Sequence, residues 1–216
     1  MPEATSAGPW PERAAFEDGE HVGGARAPVT PGALEGITVR PARPRDARAY
    51  LVFWTAIVEE GRHVRTERVT GTPRTYRRRF RRSWTDREAQ IVAVDAGERV
   101  VGHVYIQREA HPVTRHVATL GIAVAAGARG RGVGTALMAE ALRWARSVGV
   151  DKIVLSVYPH NTEAIALYRK FGFVEEGRLA RHSRKSYGDE DEILMAAWIG
   201  GPGDGPAEAR GAGDET

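Results

Sequence analysis

The stretch ARGRGVGTAL, residues 128–137, constrains this chain more than any other. It follows HVATLGIAV (residues 116–124), an apolar run of strand length. It precedes a helical pattern with Val133, Leu137, Ala141, Trp144 and Val148 on one face. A strand, a glycine-rich loop and a helix in that order belong to an α/β architecture. Such a loop suits an anion: glycines without Cβ let backbone N–H groups close on a phosphate, and the helix N-terminus adds a favourable dipole.

Two familiar phosphate loops do not fit. A P-loop needs Gly-x4-Gly-Lys-Ser/Thr, and after Gly127 and Gly132 this chain has Val133 and Gly134 where the lysine and hydroxyl belong. A dinucleotide fingerprint needs G-x-G-x-x-G and an acid at the end of the next strand. Here the glycines are Gly130, Gly132 and Gly134, and Asp151 opens the next strand instead of ending it. A third form, R/Q-x-x-G-x-G, is met by Arg129, Gly132 and Gly134. Taken alone, the same glycines also serve a plain turn that opens a helix.

The remaining pattern is mixed. Residues 37–40 read as a strand, and Asp46 is placed to cap a helix through Tyr50, Phe53, Trp54 and Ile57. Thr72-Pro73 opens a second helix whose stripe is Tyr76, Phe80 and Trp84. QIVAVDAGERVVGHVYIQRE alternates around Asp95 to form a hairpin. Residues 152–159 form a nearly continuous apolar strand, Asn161 or Thr162 caps the next helix, and Gly172 ends it. Two last strands flank a turn at residues 187–191. A single mixed sheet flanked by helices is the economical solution.

The flanks differ from this domain. Residues 1–35 and 200–216 are rich in Gly, Pro, Ala and acids without periodicity, and are expected to be disordered extensions of a domain spanning 36–199. Residues 1–33 and residues 201–216 each carry a net charge of −3, so the segment between them holds +9 of a total of +3. A domain that basic favours anionic partners. There is no cysteine, which excludes disulfides and thiolate zinc sites, and no metal is expected. No run approaches the roughly 20 apolar residues of a membrane span, and the first thirty residues lack the apolar core of a signal peptide. A cytoplasmic protein is expected.

Thirty residues beyond the loop comes N161-TEAIALYRKFGF173. The two motifs together, in this order and spacing, resemble the GNAT superfamily of acyl-CoA-dependent N-acetyltransferases, over roughly residues 37–199 and most strongly over 117–177. The resemblance implies a GNAT fold in which the strand before the loop splays from the next parallel strand, opening a cleft. It implies acetyl-CoA as acyl donor, its pantetheine paired with strand backbone at Ile122 and Val124. Its pyrophosphate would lie on Arg129, Gly130, Arg131, Gly132, Val133, Gly134 and Thr135, with Asn161 on the cofactor arm. Tyr168 matches the family tyrosine that approaches the CoA sulfur, which implies a general acid. A homodimer is common in the family.

The chemistry asks for a base as well. An alkyl ammonium costs roughly 4 kcal/mol to deprotonate at pH 7. Many relatives carry a glutamate on the strand before the loop, but HVATLGIAV has none. His116, His103 and a water chain held by backbone and Ser156 are the alternatives, while Glu59 and Glu60 could attract the ammonium. The arginines of TPRTYRRRFRRSW are expected on an exposed face with the aromatic stripe buried, so nucleic-acid binding is unlikely on this pattern. LGIAV, the Glu175-Glu-Gly segment and the ending from Tyr187 to Met195 resemble small-molecule amine and amino-acid N-acetyltransferases, the favoured reading. GDEDEILMA is also similar to enzymes that acetylate ribosomal-protein N-termini, which makes a protein N-terminal or lysine acetyltransferase the alternative reading. A non-catalytic acyl-CoA sensor is the reading from another class.

Overall fold

The computed structural model describes residue 34 and residues 36–200. The expected terminal extensions therefore lie, but for their inner ends, outside the described residues. The domain runs β1 (Ile37–Pro41), α1 (Ala47–Glu59), α2 (Pro73–Arg82), β2 (Glu88–Asp95), β3 (Val100–Arg108), β4 (Val117–Val124), α3 (Val133–Ser147), β5 (Lys152–Val157), α4 (Thr162–Lys170), β6 (Val174–Lys185) and β7 (Gly188–Trp198).

The seven strands form one sheet in the order β1-β2-β3-β4-β5-β7-β6. Every neighbouring pair is antiparallel except β4 and β5. The reason for that exception is local: β4 and β5 are joined through α3, and a helical crossover returns the chain in the same direction. No helix among the described residues is long and apolar enough to cross a membrane.

Two apolar clusters lie on opposite faces of the sheet. One packs Leu137, Met138, Ala141 and Trp144 of α3 against Ile91, Val104, Ile106 and Leu120, and extends to Tyr168 of α4. The other packs Tyr50, Phe53, Trp54 and Ile57 of α1 and Tyr76 and Phe80 of α2 against Val92, Val94 and Val100. The expected helix faces are thus buried. Thr72 caps α2 by accepting from the N–H of Thr75 at 3.3 Å, and Asn161 caps α4 by accepting from the N–H of Ala164 at 3.2 Å. Gly172 ends α4 with φ of 81°.

Three local readings are corrected. Asp46 does not cap α1 with its side chain. It is buried, takes two hydrogen bonds from Arg40 at 2.6 and 2.8 Å and one from the N–H of Arg43, and so ties β1 to the entry of α1. Trp84 lies beyond the end of α2 and is exposed, because the helix stops at Arg82 and the chain turns into a bridge with Ala89. The last hairpin turns at Ser186 and Tyr187, earlier than expected, because β6 and β7 are longer than their apolar cores.

Candidate active site

Pairing between β4 and β5 is limited to Val117 with Lys152, Ala118 with Ile153 and Thr119 with Val154. Beyond that the strands part, while β4 stays paired with β3 as far as Val124. The carbonyl of Val117 accepts from the N–H of Glu109, and the N–H of Ala125 donates to the carbonyl of Val101, so odd-numbered backbone groups face β3. The carbonyl of His116 accepts from Asp151 and Lys152, so even-numbered groups face β5. The carbonyl of Leu120 and the N–H and C=O groups of Ile122 and Val124 therefore turn towards the gap. A cavity of about 510 Å³ fills it.

At the end of β4 the chain makes a short 3-10 turn over Ala126–Ala128 and enters the glycine loop. Gly130 and Gly132 adopt φ of 70° and 81°, a left-handed conformation that only glycine takes without strain. The first intrahelical bond of α3 is donated by Ala136 to Gly132, and no side chain caps the helix, so the amides of Val133, Gly134 and Thr135 have no partner inside it. A Cβ on Gly134 would stand 3.0 Å from Leu167, so glycine there lets α3 meet α4 closely.

Ile122, Val124, Arg129, Gly130, Gly132, Gly134, Thr135, Asn161 and Tyr168 all line the cavity. Two expected residues do not. Arg131 is exposed and outside the lining, and the side chain of Val133 is 1% exposed in the core beneath the loop. Val133 can offer a ligand only its backbone amide, whereas Arg131 keeps an exposed side chain beside the loop. Tyr168 is 5% exposed, its ring against Phe173, and its hydroxyl has no hydrogen-bond partner among the described residues. Burial raises its pKa above the ordinary phenol value, so it stays protonated.

The sequence and the fold are similar to those of known proteins. The acetyltransferase (GNAT) family matches residues 54–173, more than half of the chain. The chain belongs to this family. The L-amino acid N-acetyltransferase AaaT of Escherichia coli strain K12 is 38% identical over 111 residues, which is 50% of this chain and 66% of that protein. A mycothiol acetyltransferase from Pseudarthrobacter chlorophenolicus is 32% identical over 148 residues, 64% of this chain but 43% of that protein. The chain thus spans less than two thirds of each. The solved phosphinothricin acetyltransferase of Sinorhizobium meliloti, in complex with AcCoA, superposes with a TM-score of 0.70 at 23% identity, covering 81% of this chain and 95% of that one, a likeness of fold.

The opposite wall of the GNAT cleft comes from segments that carry no motif. Arg65, in the connection between α1 and α2, donates to Glu192 of β7 through Nε at 2.8 Å and again through Nη2, which also reaches Ser156 at 2.9 Å. Burial pushes the carboxyl of Glu192 up, but hydrogen bonds from Arg65, Ser183 and Ser156 outweigh it and hold the pKa down at about 2. Lys185 donates to the carbonyls of Val64 and Arg65 at 2.5 and 2.9 Å, pinning this connection to the last hairpin.

The base candidates separate cleanly. His116 stacks on Trp198 outside the cavity. His103 lines the cavity but is 6% exposed, and burial, helped by the charge of Arg79, pushes its pKa down to about 3. With the Gln90 amide oriented to satisfy its neighbours, Nε2 of His103 accepts from it at 2.7 Å. Such an imidazole takes no proton from an ammonium near neutrality. Ser156 lines the cavity, as does Glu60, whose carboxylate is bound to Arg129 at 2.5 Å; Glu59 lies outside it. His63, absent from the sequence reading, also lines the cavity, with Nδ1 buried and unpartnered. Burial, then Arg129 and His160, lower its pKa, so its imidazole is neutral at pH 7.

Proposed function

We propose that the protein is an acetyl-CoA-dependent N-acetyltransferase that acetylates a primary amine of a small molecule, amino acids included. One observation carries the reading: the divergence of β4 from β5 beyond Thr119 and Val154 leaves unpaired strand backbone that runs straight into an uncapped loop, with Tyr168 across the gap.

The residues fit the donor. The amides of residues 130–135 suit a pyrophosphate, and a Cβ on Gly132 would stand 3.1 Å from Leu34 besides taking a left-handed φ. Arg129 donates to the carbonyl of Val124 at 3.0 Å, which keeps its charge beside the loop. Acetyl-CoA supplies the activated thioester. An unpaired N–H of β4 polarises the carbonyl oxygen as the amine attacks it. The C–N bond forms, the C–S bond breaks, and the Tyr168 hydroxyl gives its proton to the departing sulfur. Water held in the cleft by strand backbone and Ser156 takes the proton that the amine sheds. Holding both reactants in line between two walls contributes much of the acceleration.

We read residues 36–199 as the catalytic domain and the flanks as extensions, a division that limited truncation with retained turnover checks. A homodimer is supported by the exposed Val174, Leu194 and Trp198, which share one face of β6 and β7 at the free end of the sheet. Light scattering reads it.

The deciding experiment is thiol release from acetyl-CoA against a panel of amino acids, polyamines, aminoglycosides and N-terminal peptides. The chain has no cysteine and so adds no thiol background. Turnover of a small amine is expected. Turnover of peptides alone would replace the acceptor class. A rise in melting temperature with acetyl-CoA but no turnover would replace catalysis by sensing, and no binding at all would remove the whole reading.

A further inference from the structure

Four cationic side chains line the cavity: Arg65, Arg79, Arg129 and Lys170. Arg65 is bound to Glu192 and Arg129 to Glu60. Lys170 sits exposed in the last turn of α4. Arg79, half-buried on α2, makes no ion pair with any described carboxylate.

Its surroundings hold it still. The guanidinium lies over the ring of Tyr105, 4.9 Å from the centroid. The Gln90 side-chain oxygen accepts from its Nε at 3.0 Å and from Nη2 at 3.2 Å, in the orientation that lets the Gln90 nitrogen donate to His103. Gln90 is 1% exposed, so this support is fixed in the core. Nη1 stays unspent, and a guanidinium has five donors to satisfy. A half-buried cation held over the ring of Tyr105 without an anion retains a desolvation cost that a bound anion would offset.

The place of Arg79 excludes the donor's phosphates as that anion. Tyr105 is the register partner of Gly121, on the face of the sheet covered by α1 and α2. Gly121 precedes Val124, where the glycine loop departs, by about 10 Å of strand. It lies next to Ile122, where the donor's reactive end is expected. Gly121 has no side chain, so the space in front of β4 is open at this level.

We propose that Arg79 binds a carboxylate of the acceptor, so that the amine acetylated belongs to a molecule carrying both groups, as an α-amino acid does. The Arg79–Gln90–His103 chain is then a preformed anion fork beside the reaction centre, and the paired Arg65 and Arg129 leave Arg79 as the one that discriminates. The inference rests on the acetyltransferase reading above.

The test is a cycle of variant against acceptor. The values of kcat/KM are measured for a set of L-amino acids and their primary amides with the wild-type protein, Arg79→Gln and Arg79→Lys. The amide lowers the amine pKa, but that effect cancels in the comparison across variants. Arg79→Gln should lose about 10- to 100-fold on the acids and no more than about twofold on the amides, with Arg79→Lys between, as expected for a charge-assisted bond. Equal losses on acids and amides, or none on either, would overturn the proposal. So would a loss of affinity for acetyl-CoA that is absent for 3′-dephospho-acetyl-CoA, since Arg79 would then hold the donor's phosphate. If no amine is turned over, the catalytic reading fails, and the Arg79 inference is decided by calorimetry of N-acetyl-L-amino acids with the CoA-loaded protein. Binding by the wild type that Arg79→Gln abolishes would support it. Binding by neither protein, or equally by both, would overturn it.

Discussion

The two walls of the cleft are built by opposite means. One wall, from Leu120 to Thr135, offers backbone: parted strand amides, two left-handed glycines and an uncapped helix end, all within one short run of sequence. The other offers side chains brought from far apart: Arg65 meets Glu192 across 127 positions, and Lys185 meets Val64 across 121. A backbone wall suits a ligand whose handle is always the same, because its shape depends on a few glycines and a helix start. A side-chain wall suits a variable ligand, since any one residue can change without disturbing the strand beneath it.

Breaking the side-chain wall should have the largest effect on stability and little on the donor. Glu192→Leu leaves Arg65 without its buried partner and should cost about 3 kcal/mol, the low end for such pairs because Arg65 keeps contact with water. Denaturant midpoints read that loss, and the folded variant should bind acetyl-CoA within about twofold of wild type. A parallel loss of acetyl-CoA affinity would mean that the walls are one unit.

Tyr168→Phe should lower kcat about 100-fold while acetyl-CoA affinity holds, because only the proton is removed. Full kcat retained across pH would remove Tyr168 from acid catalysis and leave it as packing against Phe173.

On the backbone wall, Gly132→Ala forces a Cβ into φ of 81° and should cost about 1–2 kcal/mol of stability. The disturbed loop should also bind acetyl-CoA about tenfold more weakly. Unchanged affinity by calorimetry would show that the loop amides do not hold the donor.

The last effect is absent at neutral pH and grows as the pH falls. The folded-state pKa of His103, about 3, lies below its ordinary 6.5, so the unfolded chain binds this proton first. Its contribution is complete above pH 6.5 and is lost as the pH falls towards 3, at up to about 1.4 kcal/mol per pH unit. Glu192 adds a second loss from its ordinary 4.5 down to about 2. Urea midpoints against pH should show the first slope flattened in His103→Gln, and an unchanged slope would assign it elsewhere.

The fold was legible where short-range patterns carry it. The stripe from Val133 to Trp144, the caps at Thr72 and Asn161 and the glycine stop at Gly172 are each local, and the structure places them as read. Trp84 misled because its four-residue spacing continues past the point where α2 stops. Arg79 was read as part of an exposed basic face, yet it lies three residues after buried Tyr76 and so flanks the apolar stripe. That spacing was the available signal. His63 and Arg65 carried none, because they stand in a connection without periodicity.

The sequence by itself determined the loop, its glycines, the strand and helix around it and the position of Tyr168, because each depends on neighbours a few residues away. Only the tertiary structure decided that Glu60 binds Arg129, that His103 is sealed beside Gln90 and that Arg79 turns inward without a carboxylate. Those outcomes follow from burial and charge pairing between distant segments, and burial is a property of the folded sheet and helices together.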